Sequence, residues 1–504
     1  MMKNINILWF KKDLRINDNE ALIESLKDRD IIPIFIIEKE IWSQKTYSDR
    51  QWQFCKESLL DLRISLANIG QPLIIRTGKV IEIFDQISNN FEIKAIYSHQ
   101  ETGDYLTYKR DQEVRKWASM KKIIWKEYLQ FSVFRGKLDR NNWSTKWKKN
   151  MERKLFTEPS KINPIEIDPG EIPPDNFFCF KDDFCKGRLK GGREIGLKRM
   201  EYFFSNKLSY YSKDISSPEK SFDSCSRLSP YISWGCISIK EIIHKANSIT
   251  NPNSKMLKSR LTWHCHFIQK LESEPELEFK EFHPYFQKIR KKDSHLLKLW
   301  SEGKTGFPFL DACMRSLNFH GWLNFRMRAM LMSFASYNLW IPWQESGSEL
   351  ASKFLDYEPG IHWNQCQMQA GTTSINVNRI YNPIKQGKDH DPKGNFIKKW
   401  VPEIQNYPEN FVHEPWLMEK FNSKEYENSE YIKPIINLSE TTKNARKRIQ
   451  EITQREGYWD ISKGIYMKHG SRRKALNKRK NYPKKSNLRK KRELQNQLNL
   501  DLLI

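Results

Sequence analysis

The first 130 residues alternate short apolar runs with longer amphipathic stretches, and this alternation constrains the fold more than any other feature of the chain. Ile5 to Phe10, Ile31 to Ile37, Pro72 to Arg76 and Ile93 to Ser98 read as buried strands, with Ile123 to Tyr128 as a fifth. Asp49 to Ile69, Val80 to Asn89 and Thr107 to Met120 read as helices between them. Runs that are apolar throughout belong to strands covered on both faces, so the pattern predicts an α/β domain with a doubly wound parallel sheet over residues 1–130. The first strand runs into Lys11-Lys12-Asp13-Leu14-Arg15 without a glycine, which argues against a dinucleotide loop of the usual kind.

The period then changes. Pro159, Pro164, Pro169, Pro173 and Pro174 mark residues 131–190 as a connector crossing the surface. Residues 191–465 carry helical spacing, clearest over Ser238 to Ile249, Lys255 to Leu271, Phe309 to Asn318 and Phe325 to Leu339, and predict an all-α domain. Residues 466–504 read as a basic tail, in which positions 472–492 hold twelve Lys/Arg, Arg472 and Arg473 included, and no acid.

The chain carries 86 Lys+Arg against 61 Asp+Glu, a formal charge of +25, and an excess of this size favours a polyanion such as nucleic acid. Its eight cysteines form no CxxC pair, so zinc ribbons and thioredoxin-like sites are not indicated. Gly303-Lys304-Thr305 resembles the end of a phosphate loop, but Lys298 stands where its first glycine belongs. His264-Cys265-His266 cannot converge on one ion, because adjacent helical residues point about 100° apart. No metal is expected. No stretch approaches the roughly 20 apolar residues of a membrane helix, and Lys3 alone precedes the first apolar run, so a soluble, cytoplasmic monomer without membrane attachment is expected.

Several longer motifs go further. Leu8 to Asn19 (LWFKKDLRINDN), Glu302 to Pro308 (EGKTGFP) with Asp311-Ala312 and Met314-Arg315, then Gly321-Trp322, Arg326, Arg328, Asn382-Pro383 and His413-Glu414-Pro415-Trp416 resemble, in order, the motifs of photolyases and cryptochromes. That resemblance implies an α/β antenna domain joined to an all-α C-terminal FAD-binding domain. It implies that Cys225-Ser226-Arg227-Leu228-Ser229 receives the FAD diphosphate and that Tyr211 flanks the cofactor. It also implies that Asp356, in the segment Asp356-Tyr357-Glu358, pairs with Arg328 beside the flavin. The antenna chromophore is left unknown, since Thr107 stands where some relatives hold a folate with glutamate.

The departures from the family pattern are chemically specific. His362 stands where an asparagine usually faces flavin N5. Trp263, the base-stacking tryptophan, is kept, but Arg260 replaces the substrate glutamate, a change from hydrogen-bond acceptor to obligate donor. Arg326 is present behind Phe325, and Met368 replaces the second tryptophan of WQW. Of the electron-relay tryptophans the middle one matches Trp343, while the others fall on Cys366 and near Arg290; Trp340 and Trp363 are candidates for another route. The expected catalytic set is therefore Trp263, Arg326, His362 and Met368, with Arg260, Arg326, Arg472 and Arg473 on DNA. The reading favoured is a photolyase acting on pyrimidine dimers. The alternative is a cryptochrome-type receptor with a signalling partner, and the third is a flavoprotein that binds DNA without light chemistry.

Overall fold

The computed structural model describes residues 2–136, 142–178, 180, 185–375, 379–421 and 431–470. Its sheet is five-stranded and parallel, in the order β3-β2-β1-β4-β5, with β1 Lys3–Phe10, β2 Asp30–Ile37, β3 Ile74–Thr77, β4 Phe91–His99 and β5 Ile124–Tyr128. The central strands are covered on both faces: Ile5, Ile7 and Trp9 join one buried cluster, and Leu8 and Phe10 the other. Helices α1 Asp49–Asn68, α2 Val80–Ser88 and α3 Tyr105–Met120 supply the cover. A doubly wound sheet followed by helices is what the periodicity predicted.

The connector is more ordered than its prolines suggested. It contains helix α4, Trp143–Met151, which buries Trp143, Trp147 and Met151 along one stripe. Its extended part is bonded to the first domain, with Ile162 N–H on Ile69 O at 2.6 Å and Ile75 N–H on Pro169 O at 2.8 Å.

Beyond Gly192 the regular described elements are helical, among them α5 Pro252–Ser273, α6 Pro308–His320, α7 Phe325–Ser333, α8 Trp343–Lys353 and α9 Pro359–Ala370, of which α5, α7, α8 and α9 build the site. Two more, α10 Leu438–Thr453 and α11 Tyr458–His469, close the described chain. The helix expected to run from Phe325 to Leu339 ends its α-turns at Ser333 and continues as a wider π-turn over Phe334–Asn338. Helix α11 continues past 465, into residues assigned to the basic tail; Arg472 and Arg473 lie outside the described residues.

The Asp13-Leu14-Arg15 motif joins the halves. Leu14 N–H bonds Trp234 O at 3.1 Å, and the buried Arg15 guanidinium bonds Gly235 O at 2.9 Å. Gly235 has φ +69, and a Cβ there would lie 2.2 Å from Lys12 O, so only glycine allows this approach. From α1, Gln51 donates to Ala351 O and Phe354 O, both at 2.9 Å, fixing the far end of α8.

Candidate functional site: an apolar cavity with one ion pair

A cavity of about 260 Å³ opens among α5, α7, α8 and α9. Its walls are mainly apolar, from Trp322, Leu323, Phe325, Met332 and Phe354. Into it project Arg328, Asp356, His362, His264 and Glu358. Arg328 and Asp356 form a bidentate ion pair, Nη1 to Oδ1 at 3.0 Å and Nη2 to Oδ2 at 2.9 Å. The guanidinium is further fixed by Leu323 O at 2.6 Å and lies 4.1 Å from the Phe354 ring centroid. A fork-to-fork pair held this way is a fixed dipole.

His362 and Cys366 face the same space, one turn apart on α9. Nε2 of His362 lies 2.8 Å from Gly347 O, which can only accept, so Nε2 carries the proton and Nδ1 is left as an acceptor. Burial, with the Arg328 cation adding to it, brings the imidazole down to about 4, so it is neutral at neutral pH. Cys366 Sγ is 3.4 Å from His362 Nε2, and burial raises the thiol far above the usual range. Glu358, 3% exposed, has Oε1 without a hydrogen-bond partner, and burial lifts its carboxyl to about 7.

At the other side of Ser229 the segment Cys225-Ser226-Arg227-Leu228-Ser229 turns into a helix, Ser229–Ser233. Arg227 is buried at φ +51, its guanidinium 3.6 Å from the centroid of Phe222. No ion pair to Arg227 exists among the described residues, and its Nε has no hydrogen-bond partner. Burial and the neighbouring Arg199 cation bring Arg227 down to about 9. Arg199 itself donates to Ser226 O at 2.8 Å. Arg227 is buried and Arg199 partly buried, neither pairs with a carboxylate among the described residues, and two such guanidiniums offer the charge and donors that a diphosphate requires. With the apolar cavity and its ion pair, the residues present fit FAD.

The other expected residues are distributed around this cavity. Ser229, Arg328, Asp356, Tyr357, Glu358 and His362 line it. Tyr211 is buried, with the Arg260 guanidinium 5.9 Å from its ring. Trp263 packs against His266 at 5.2 Å and Phe267 at 5.9 Å, and Arg326 lies in the field of Tyr381 and His390. Trp263, Arg326 and Met368 are not among the cavity's lining residues. Trp343 and Trp363 meet edge to face, centroids 5.7 Å apart, and Trp363 is 5.0 Å from His362. Trp340 instead stands between Arg290, at 4.9 Å, and Arg448, at 4.7 Å. His264, set aside with its neighbours as packing, lines the cavity, and no metal-binding cluster occurs among the described residues. No motif marked Arg199 or Gly347, whose partners are remote in the chain.

At the carboxyl ends of the strands, the space enclosed by Trp9, Glu38, Trp42 and Arg110 is about 40 Å³. The Arg110–Glu38 ion pair, at 2.7 Å, closes it.

The chain is similar to known proteins over most of its length. A family model described as DNA photolyase matches residues 6–158, and one described as the FAD binding domain of DNA photolyase matches residues 256–451. Cryptochrome DASH of Gloeobacter violaceus is 27% identical over 86% of this chain and 93% of its own. Deoxyribodipyrimidine photo-lyase of Buchnera aphidicola is 28% identical over 87% of this chain and 95% of its own. The crystal structure of a Synechocystis cryptochrome superposes with a TM-score of 0.80, at 25% identity, over 89% of this chain and 99% of that one. The chain belongs to the photolyase/cryptochrome family, and the cofactor of its helical domain is FAD. No described helix is long and apolar enough to cross a membrane.

Proposed function

We propose that this protein is a light-driven DNA photolyase that returns pyrimidine dimers to pyrimidines. The observation that carries the reading is the apolar cavity holding the Arg328–Asp356 pair, with the guanidiniums of Arg227 and Arg199 beyond Ser229. When bound, FAD would supply absorption of blue light and transfer of single electrons. Arg227, Arg199 and the hydroxyls of Ser226 and Ser229 hold the diphosphate, and Tyr211 flanks it. Arg328 and Asp356 set a fixed electrostatic field at the flavin end. His362, neutral at neutral pH, offers Nδ1 as a hydrogen-bond acceptor there.

Trp363 and Trp343 pass electrons between the cavity and the surface. Trp340 stands off this route, because each guanidinium beside it opposes a positive charge on its ring by roughly 3 kcal/mol at an effective dielectric constant of about 20. DNA is the partner, drawn by the +25 charge, with Arg260, Arg326 and the basic segment around Arg472 and Arg473 on phosphates. A damaged base pair turned out of the helix would meet Trp263, Arg326 and Met368. The protein acts as a monomer.

A receptor without repair activity is the second reading, supported by Arg260 in place of a substrate acceptor and by relatives named cryptochrome DASH. The deciding experiment uses FAD-loaded protein reduced with dithionite, an oligonucleotide with one cyclobutane dimer, blue light and a dark control. Light-dependent recovery of intact pyrimidines is expected. Its absence, with DNA binding and reduced flavin verified, refutes dimer repair.

A further inference from the structure

Trp343 opens helix α8, is 1% exposed, and directs its indole N–H at a carboxylate. Nε1 donates to Oε1 of Glu281 at 3.2 Å, and Gln344 Nε2 donates to the same oxygen at 3.2 Å. Glu281 is half-buried, so its carboxyl meets both the indole and the solvent. The loop that carries it is stapled in place. Phe282 N–H bonds Gln367 Oε1 at 2.9 Å, His283 N–H bonds Thr372 O at 3.0 Å, and Gln367 Nε2 returns to Leu277 O at 2.9 Å and Lys280 O at 2.8 Å. Gln367 sits on α9, four residues from Trp363, so one helix positions both the ring that precedes Trp343 and the carboxylate that follows it.

Trp340 offers the contrast. Its indole N–H bonds a carbonyl, Ile289 O at 2.9 Å, which is no base, and its ring is flanked by two cations. Arg290 is itself fixed between Ser336 O and Ala370 O at 2.8 and 2.7 Å. Of the two tryptophans, Trp343 alone has an anion at its N–H.

We propose that Glu281 is the proton acceptor that ends the electron relay at Trp343; this rests on the light-driven electron transfer proposed above. Bound, oxidised FAD would supply the light-driven one-electron oxidant; Trp363 would give up that electron and be refilled by one electron from Trp343. The Nε1–H bond of Trp343 then breaks with its electron pair left on nitrogen, and the proton forms an O–H bond at Oε1 of Glu281. Trp343 becomes a neutral radical and Glu281 a neutral carboxylic acid, which passes its proton to water. The separated charge persists because the returning electron would have to recover that proton.

Flash photolysis of the FAD-loaded, oxidised, full-length protein tests this, since protonated and deprotonated tryptophan radicals differ in absorption. The deprotonated radical is expected, formed more slowly in heavy water. Glu281→Gln should leave the radical protonated, and its surviving yield should fall. An unchanged spectrum and yield overturns the role of Glu281. Trp343→Phe separates the two levels. If it leaves photoreduction as in the parent, the relay through Trp343 fails altogether; if it abolishes photoreduction while Glu281→Gln does not alter the radical, the inference alone fails. In the apoprotein, Glu281→Gln should move the Trp343 indole N–H resonance, since it removes the carboxylate that this N–H meets at 3.2 Å. A resonance that stays at the parent's position overturns the contact on which the inference stands.

Discussion

Replacing Arg227 by methionine should stabilise the apoprotein while weakening cofactor binding. Arg227 is 6% exposed, and burial brings its guanidinium from the usual 12.5 down to about 9. The sign follows from linkage. The unfolded chain holds this proton more tightly, so the charged side chain opposes folding at every pH below about 9, and the penalty fades as pH rises from there toward 12.5. At about 1.36 kcal/mol per pH unit of displacement, the upper bound is roughly 5 kcal/mol. Water penetration and stacking on Phe222, at 3.6 Å, reduce what is realised to about 1–3 kcal/mol. Methionine keeps the apolar contact and removes the charge. Calorimetry of the FAD-free protein at pH 7 should show a melting temperature higher by about 2–5 °C. Titration with FAD should show affinity weaker by about 10- to 100-fold, the loss of charge-assisted hydrogen bonds to the diphosphate. A variant that melts earlier without FAD and binds FAD as the parent does would refute the reasoning.

Asp311 gathers the hydroxyl of Thr305 at 2.6 Å, the Tyr431 hydroxyl at 2.6 Å and the Gly306 N–H at 3.0 Å, so Asp311→Asn sets an amide donor against donors. Denaturant unfolding should show a loss of roughly 2–3 kcal/mol. Asp356→Asn leaves Arg328 beside the cavity with no carboxylate; a stability loss of up to about 3 kcal/mol and weaker FAD retention on a desalting column are expected. Glu274 anchors the end of α11: burial alone would raise its pKa, but hydrogen bonds from His469 and Lys468 hold it at about 2. Its contribution is therefore present above about pH 4.5 and lost as pH falls toward 2, worth about 1 kcal/mol after allowance for solvent exposure, and Glu274→Gln should flatten the acid limb of a stability–pH curve.

What the sequence revealed and what it hid divide along physical lines. The sheet was legible because parallel strands covered on both faces are apolar without interruption, as in Ile31-Ile32-Pro33-Ile34-Phe35. The connector was not, because its order comes from bonds to distant backbone, such as Pro169 O on Ile75 N–H, and such bonds leave no period. Its helix α4 shows only Trp143, Trp147 and Met151 among polar residues, a stripe too narrow to outweigh the prolines that follow. The ion pair of Arg328 and Asp356 was legible through motif resemblance. Glu281 was not, since its partner Trp343 lies 62 residues away.

The substitutions around α9 make sense as a set once Gly347 is included. His362, Trp363 and Cys366 lie within one turn, and all three meet α8 at Gly347. Its carbonyl takes the His362 proton at 2.8 Å; a Cβ there would lie 2.8 Å from Trp363 Cζ3 and 3.2 Å from Cys366 Sγ. Cys366 stands at the expected tryptophan position, and both its thiol and the Trp363 ring press against residue 347 because that residue has no side chain. Gly347→Ala, harmless by helix propensity alone, should displace the Trp363 ring, lengthen its contact with Trp343 and slow photoreduction, with FAD binding retained. Photoreduction at the parent's rate in that variant would show that electrons do not travel by Trp363.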